Sequence, residues 1–235
     1  MNDWYHLQLF LEKITKNGER INFWWREDDV AGDFKNFERI VNLFLKYEIP
    51  AVAAVIPNQL CDRTITIIKR NKNLIVSQHG VSHIDRGQKQ EFPENYNPSI
   101  ALENILEKRE ILKNIFKNQF MPVYVPPWNN ISKCLKILLL QNGFISISRH
   151  NYLGEQKKMN ADIDLINWNV GKKFHSDEFV IKQILKELSA GNRHIGFVGH
   201  HQTIGDKGFD FIQQLFEETA KYNNISWVIP LEFIL

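Results

Sequence analysis

Short apolar, β-branched or aromatic runs alternate with longer segments of helical period along nearly the whole chain. That alternation is the signature of repeated βα units around a parallel sheet. It predicts strands over 21–26, 50–56, 73–76, 122–125, 144–148, 163–168 and 195–198, with 225–229 closing the set. Helices are predicted over 34–47, 59–70, 100–117, 131–141, 177–188 and 209–222. In the first helix Phe37, Ile40, Val41, Phe44 and Leu45 share one face, and Pro98 stands where the third would begin. The strand over 50–56 is almost continuously apolar, which suits a strand covered on both sides.

Seven or eight such units in 235 residues, 43% of them hydrophobic, fill one α/β domain spanning 1–235. There is no repeat, low-complexity stretch or linker that divides it. A barrel accounts for the count; a doubly wound open sheet is compatible with it, because strand order is not written in the sequence.

Charge excludes one partner class. Twenty-nine basic residues face 27 acidic ones for a formal charge of +2, and the densest basic clusters are the pairs Lys157-Lys158 and Lys172-Lys173, too few for a nucleic-acid footprint. The first thirty residues carry Asp3, Glu12, Lys13, Lys16, Glu19 and Arg20, so no apolar leader is present there. The longest apolar runs fall far short of the roughly 18 residues that a spanning helix needs. Cys61 and Cys134 both lie in helix-like segments, which fits reduced thiols. These features predict a cytoplasmic protein without membrane insertion.

Metal-ligand residue types gather just after predicted strands, where a βα barrel places its working loops. Arg26-Glu27-Asp28-Asp29 follows the first strand, His79-Gly80-Val81-Ser82-His83 the third and His200-His201-Gln202 the seventh. Two imidazoles four residues apart can converge on one ion, and a carboxylate from another strand completes three ligands with positions left open, the composition of a catalytic site. Of two consecutive aspartates pointing in different directions, one can hold the ion and the other accept a proton.

At these residues the chain resembles the polysaccharide deacetylases, the carbohydrate esterases that share the NodB-homology domain, over nearly its full length. The family's Thr-Phe-Asp-Asp-Gly motif matches at Asp28 and Asp29, which implies Asp28 as catalytic base and Asp29 as metal ligand. Its paired histidines match His79 and His83, implied as the other two ligands. Its Arg-x-Pro segment is similar to Val125-Pro126-Pro127-Trp128, with valine at the arginine position; Arg26 or Arg149, each at a strand end, is then left to hold the base. Asp164 and Trp168 echo a fourth motif, and Val198-Gly199-His200 resembles the Leu-x-His motif. The last match implies His200 as the acid that protonates the leaving amine, with His201 an alternative donor.

The resemblance thus implies a distorted (β/α) barrel of about seven parallel strands and a metal-dependent hydrolase. Its implied reaction removes an N-acetyl group from a sugar, an amino-sugar unit or precursor of a surface polysaccharide. Pro127, Trp128, Trp168, Arg149 and His201 are the expected substrate contacts. One divalent ion is expected, zinc first, though cobalt, nickel or iron accept the same donors. A catalytically silent carbohydrate-binding relative and a metal hydrolase of a non-sugar amide or ester are the alternatives. His150 has no partner pattern and reads as structural, and Gly80 and Gly199 read as turn residues.

Overall fold

A computed structural model describes residues 3–32, 34–150 and 159–230; the Lys157-Lys158 pair falls outside them. The predicted alternation is realised in ten strands: β1 (Ile21–Val30), β2 (Ala51–Val55), β3 (Leu74–His79), β4 (Phe120–Val125), β5 (Ser146–Ile147), β6 (Ile163–Asp164), β7 (Ile166–Asn167), β8 (Lys173–Phe174), β9 (His194–Gly199) and β10 (Ile225–Trp227). Seven helices accompany them: α1 (Asp3–Lys16), α2 (Phe34–Lys46), α3 (Asp62–Arg70), α4 (Pro98–Phe116), α5 (Lys133–Gln141), α6 (Asp177–Ser189) and α7 (Gly205–Thr219).

All pairings in the main sheet are parallel, in the order β5-β4-β3-β2-β1-β9-β6. The two ends meet at one parallel bridge between His150 and Ala161, supported by the Ala161 amide donating to the Arg149 carbonyl at 2.8 Å. Seven strands therefore curl into a distorted barrel stitched by a narrow seam. β10, the last of the set, lies off the ring: it runs beside the first residues of β1, Ile21 to Phe23, before β2 takes over at Trp25.

Alternation along β1 sorts its side chains between two cores. Phe23 and Trp25 face the helices, packed with Phe44, Phe197, Phe216 and Trp227. Trp24 and Arg26 point into the barrel among Val52, Met121, Val123, Ser148 and Met159. The inner tryptophan fits because Gly196 on β9 has no side chain: a Cβ there would lie 2.3 Å from the Trp24 ring.

Three differences from expectation have local causes. The segment 163–168 is not one strand, because the Asp164 carboxylate accepts the Ile166 amide at 2.8 Å and turns the chain; Ile166–Asn167 then pairs antiparallel with β8, making a small hairpin. The segment 59–70 begins as a separate 3-10 turn, Pro57–Gln59, before α3. α1 was not anticipated, although Trp4, Leu7, Leu11 and Ile14 are buried at helical spacing and Trp4 donates to Asp177 at 3.0 Å. Among the described residues no helix is long and apolar enough to cross a membrane, and Cys61 and Cys134 are free thiols.

Candidate metal and hydrolytic site

The C-terminal ends of β1, β3, β4, β5, β6 and β9 surround one cleft of about 360 Å³. β1 continues past its predicted end at Arg26 through Glu27, Asp28 and Asp29. Carboxylates are poor strand formers, but here each has partners. Between Glu27 and Val30 three steps on β1 oppose two on β2, so the strand bulges, and Asp29 takes a left-handed φ of 58°. A bulge re-aims side chains. Asp28 and Asp29, which in an unbroken strand face opposite sides, both line the cleft.

Asp29, His79 and His83 bring one donor atom each to within 4.8 Å of one another. The Asp29 Oδ1 atom lies 3.1 Å from His79 Nε2 and 3.3 Å from His83 Nε2. His79 donates Nδ1–H to the Val125 carbonyl at 2.9 Å, which fixes the ring and leaves Nε2 for the cleft, the outer-shell arrangement typical of ligating histidines. Burial opposes ionisation of Asp29, yet the hydrogen bond and charge of His79, with His200 and His83 beside it, hold its carboxyl well below the usual range. Burial disfavours the charged form of His79 too, but Asp29 and Asp28 outweigh it and raise its pKa; burial and the charge of His79 lower that of His83. A half-buried carboxylate thus favours a proton on its imidazole neighbour at the point where the donors converge, and this donor set, one carboxylate and two imidazoles, fits a divalent cation.

The loop carrying His83 is fastened from behind. The Glu91 carboxylate, 2% exposed, accepts the amides of Val81, Ser82 and His83 at 2.8, 2.6 and 3.1 Å. Gly80, at φ 60°, starts the turn, and a Cβ on it would lie 2.2 Å from Glu91 and 2.6 Å from Pro127.

Arg26 holds Asp28. Its Nε and Nη2 donate to the two carboxylate oxygens at 2.7 and 2.9 Å, and Nη1 donates to Ser148 Oγ at 2.6 Å. Arg149 contributes its backbone carbonyl to Arg26 at 3.4 Å, and its side chain is not part of the cleft lining. The guanidinium expected at Val125 is therefore supplied from two residues away on the strand of Asp28 itself.

Across the cleft, His200 Nε2 stands 4.0 Å from Asp28 Oδ2 and its Nδ1 3.9 Å from Asp164 Oδ1. Both exceed hydrogen-bonding distance, and Nδ1 is buried without a partner among the described residues. The Trp168 ring meets His200 edge-on at 4.7 Å and donates its Nε1–H to Asp164 at 2.8 Å. Asp164, Trp168 and His200 thus form one group at the cleft.

Trp128 lines the cleft and packs on His83 with ring centroids 4.3 Å apart. Pro127 is buried against Gly80, and Pro126 takes the place in the wall expected for it. His201 is a correction. It is buried outside the cleft, with Nδ1 3.0 Å from Glu27 Oε1 and its ring against Phe37, so it neither meets substrate nor competes with His200. Gly199 is no turn residue either: a Cβ there would lie 2.3 Å from Glu27 and 2.6 Å from Trp25.

Four residues in the lining, Lys89, Asn129, His150 and Lys172, were given no part in the site by sequence. His150 follows β5 and was findable by the strand-end rule; the lysines sit in loops with no pattern. Another depression, about 450 Å³ between α2 and α7, is lined by exposed residues such as Arg39 and Asn42 around the buried Phe209 ring and has no convergent buried donors.

No family model and no curated protein matches the chain. Solved structures do. A probable polysaccharide deacetylase from Pseudomonas aeruginosa PAO1 superposes with TM-score 0.69 at 10% identity, over 93% of this chain and 91% of that one. An allantoinase gives 0.68 at 11%, over 92% and 89%. A family 4 acetyl xylan esterase from Clostridium thermocellum, solved with a cobalt ion, gives 0.62 at 14%, over 90% and 89%. The chain shares the distorted-barrel fold of the polysaccharide deacetylases.

Proposed function

We propose that this protein is a metal-dependent hydrolase that removes the N-acetyl group of an amino sugar, a unit or precursor of a surface polysaccharide, in a reducing cytoplasm. The observation that carries the proposal is the convergence of three groups. The ligand triad Asp29, His79 and His83, the anchored carboxylate Asp28 and the imidazole His200 surround one cleft.

A divalent ion at the triad, zinc, cobalt, nickel or iron, supplies Lewis acidity toward a carbonyl and makes water a stronger acid. Asp28 accepts the proton of the attacking water. Arg26 occupies one lone-pair direction on each Asp28 oxygen, leaving the others free and the carboxylate fixed in orientation. His200, with Asp164 behind its Nδ1, donates a proton to the departing amine. Trp128 and Trp168 offer flat faces on two sides of the cleft, suited to a sugar ring. The products are acetate and a free amine.

The silent-relative alternative drew on the missing motif arginine; Arg26 in its stead weakens that argument. The allantoinase fold match favours a second reading, hydrolysis of a non-sugar amide. Acetate release from N-acetylated sugars by the metal-loaded protein, with simple amides assayed in parallel, tests both. Asp28→Asn is expected to lower the rate roughly 10²–10⁴-fold while metal binding persists. Absence of acetate from every sugar, or an unchanged Asp28→Asn rate, contradicts the deacetylase.

A further inference from the structure

We infer that the substrate carries a phosphate beside the acylated amine, held by Lys89 and Lys172; this rests on the hydrolase reading and extends it to a substrate class. Both lysines line the same cleft as the triad. Lys89 comes from the loop after β3 and Lys172 from the turn between β7 and β8, so two independent loops deliver cations to one space. Neither forms an ion pair among the described residues.

The charge balance makes their presence informative. Arg26, Asp28, Asp29 and Asp164 leave an excess of two negative charges in the cleft, which a divalent cation at the triad cancels. With His200 carrying the proton that it donates, the hydrolytic machinery then has no negative charge left over for the lysines to neutralise, and their two positive charges remain for the ligand to meet. His150 and His200 are the other titratable groups of the lining.

Backbone geometry assigns the lysines to the same working set. Nine non-glycine described residues have positive φ, and six of them, Asp29, His83, Lys89, Trp128, Asn129 and Lys172, line this cleft. Such conformations cost of order 1–3 kcal/mol each and concentrate at functional sites. Lys89 (φ 51°) and Lys172 (φ 44°) carry the same strain as the ligands Asp29 (58°) and His83 (55°). Two ammonium charges delivered to one cleft suit a doubly charged phosphate, which lysine binds as a point charge.

The test compares acetate release by metal-loaded protein from N-acetylglucosamine, its 1-phosphate and a lipid-linked phosphodiester of the same sugar. A kcat/KM at least about tenfold higher for a phosphorylated form, lost in the Lys89→Gln/Lys172→Gln double variant and shrinking with added salt, supports the subsite; the better arm tells a free sugar phosphate from a lipid-linked one. Equal kcat/KM for all three overturns it. If nothing is deacetylated, calorimetric titration with glucosamine and glucosamine 1-phosphate decides. Tighter phosphate-dependent binding that the double variant loses keeps the subsite and sinks the deacetylase, and indistinguishable binding overturns both.

Discussion

Arg26 and Asp28 form an ion pair whose side chains are 4% and 7% exposed. At that burial the partners, not water, sustain the charges, and removing one strands the other. Arg26→Met is therefore expected to cost about 3–5 kcal/mol, read by urea denaturation of the metal-free protein. Arg26→Lys restores a charge without the two-pronged grip, so stability returns in part while kcat falls more than KM, because Asp28 is no longer aimed. A Met variant as stable as wild type contradicts this account. Single residues were also where the sequence spoke most clearly: Asp29, His79 and His83 are legible because ligand types at fixed spacing follow strands. The choice between Arg26 and Arg149 was not, since both end strands and only the barrel interior separates them. His201 misled for a related reason. One residue beyond His200 it crosses to the helix side, where Glu27 accepts its ring and backbone N–H groups.

Elements position these groups through irregularities that period counting passes over. β1 was expected to stop at Arg26 because three carboxylates follow; it continues because Arg26 neutralises Asp28, Trp25 donates to Glu27 at 2.8 Å, and a bulge turns Asp29 inward. Pairing partners distant in sequence are invisible to a local pattern, so neither bulge nor extension was legible. The loop after β3 shows the same principle in a long polar stretch. Glu91, eight residues past His83, is its clamp. Glu91→Gln replaces one acceptor oxygen by an amide nitrogen facing backbone N–H groups, and outer-shell changes of this kind typically weaken metal binding about 10–100-fold. Calorimetric titration with zinc is expected to show that loss with far-UV circular dichroism unchanged. Wild-type affinity in the variant would show that the clamp is not needed to present His83.

At the scale of the whole molecule, the parallel strands were readable from βα alternation and the barrel followed from the resemblance, whereas the seam was not legible, because one bridge between His150 and Ala161 leaves no run of strand-like residues behind. The topology gives the triad a mechanical consequence. Asp29 ends β1 and His79 ends β3, and β2 lies between them with Ala51, Ala53 and Ala54 among its five residues. An ion bound to both ends spans three strands of the barrel and is held only when they are assembled, so it stabilises the folded state by mass action. At a free zinc concentration of 100 times Kd that stabilisation is about 2.7 kcal/mol. For a chain of this size each kcal/mol moves the melting temperature by about 2–4 °C, so zinc is expected to raise Tm by roughly 5–10 °C. EDTA should reverse the rise, and His79→Ala, which removes Nε2 from the ligand set, should abolish it. An equal rise in His79→Ala places the ion elsewhere, and no rise in wild type with saturating zinc, cobalt, nickel or iron removes the metal from the proposed reaction.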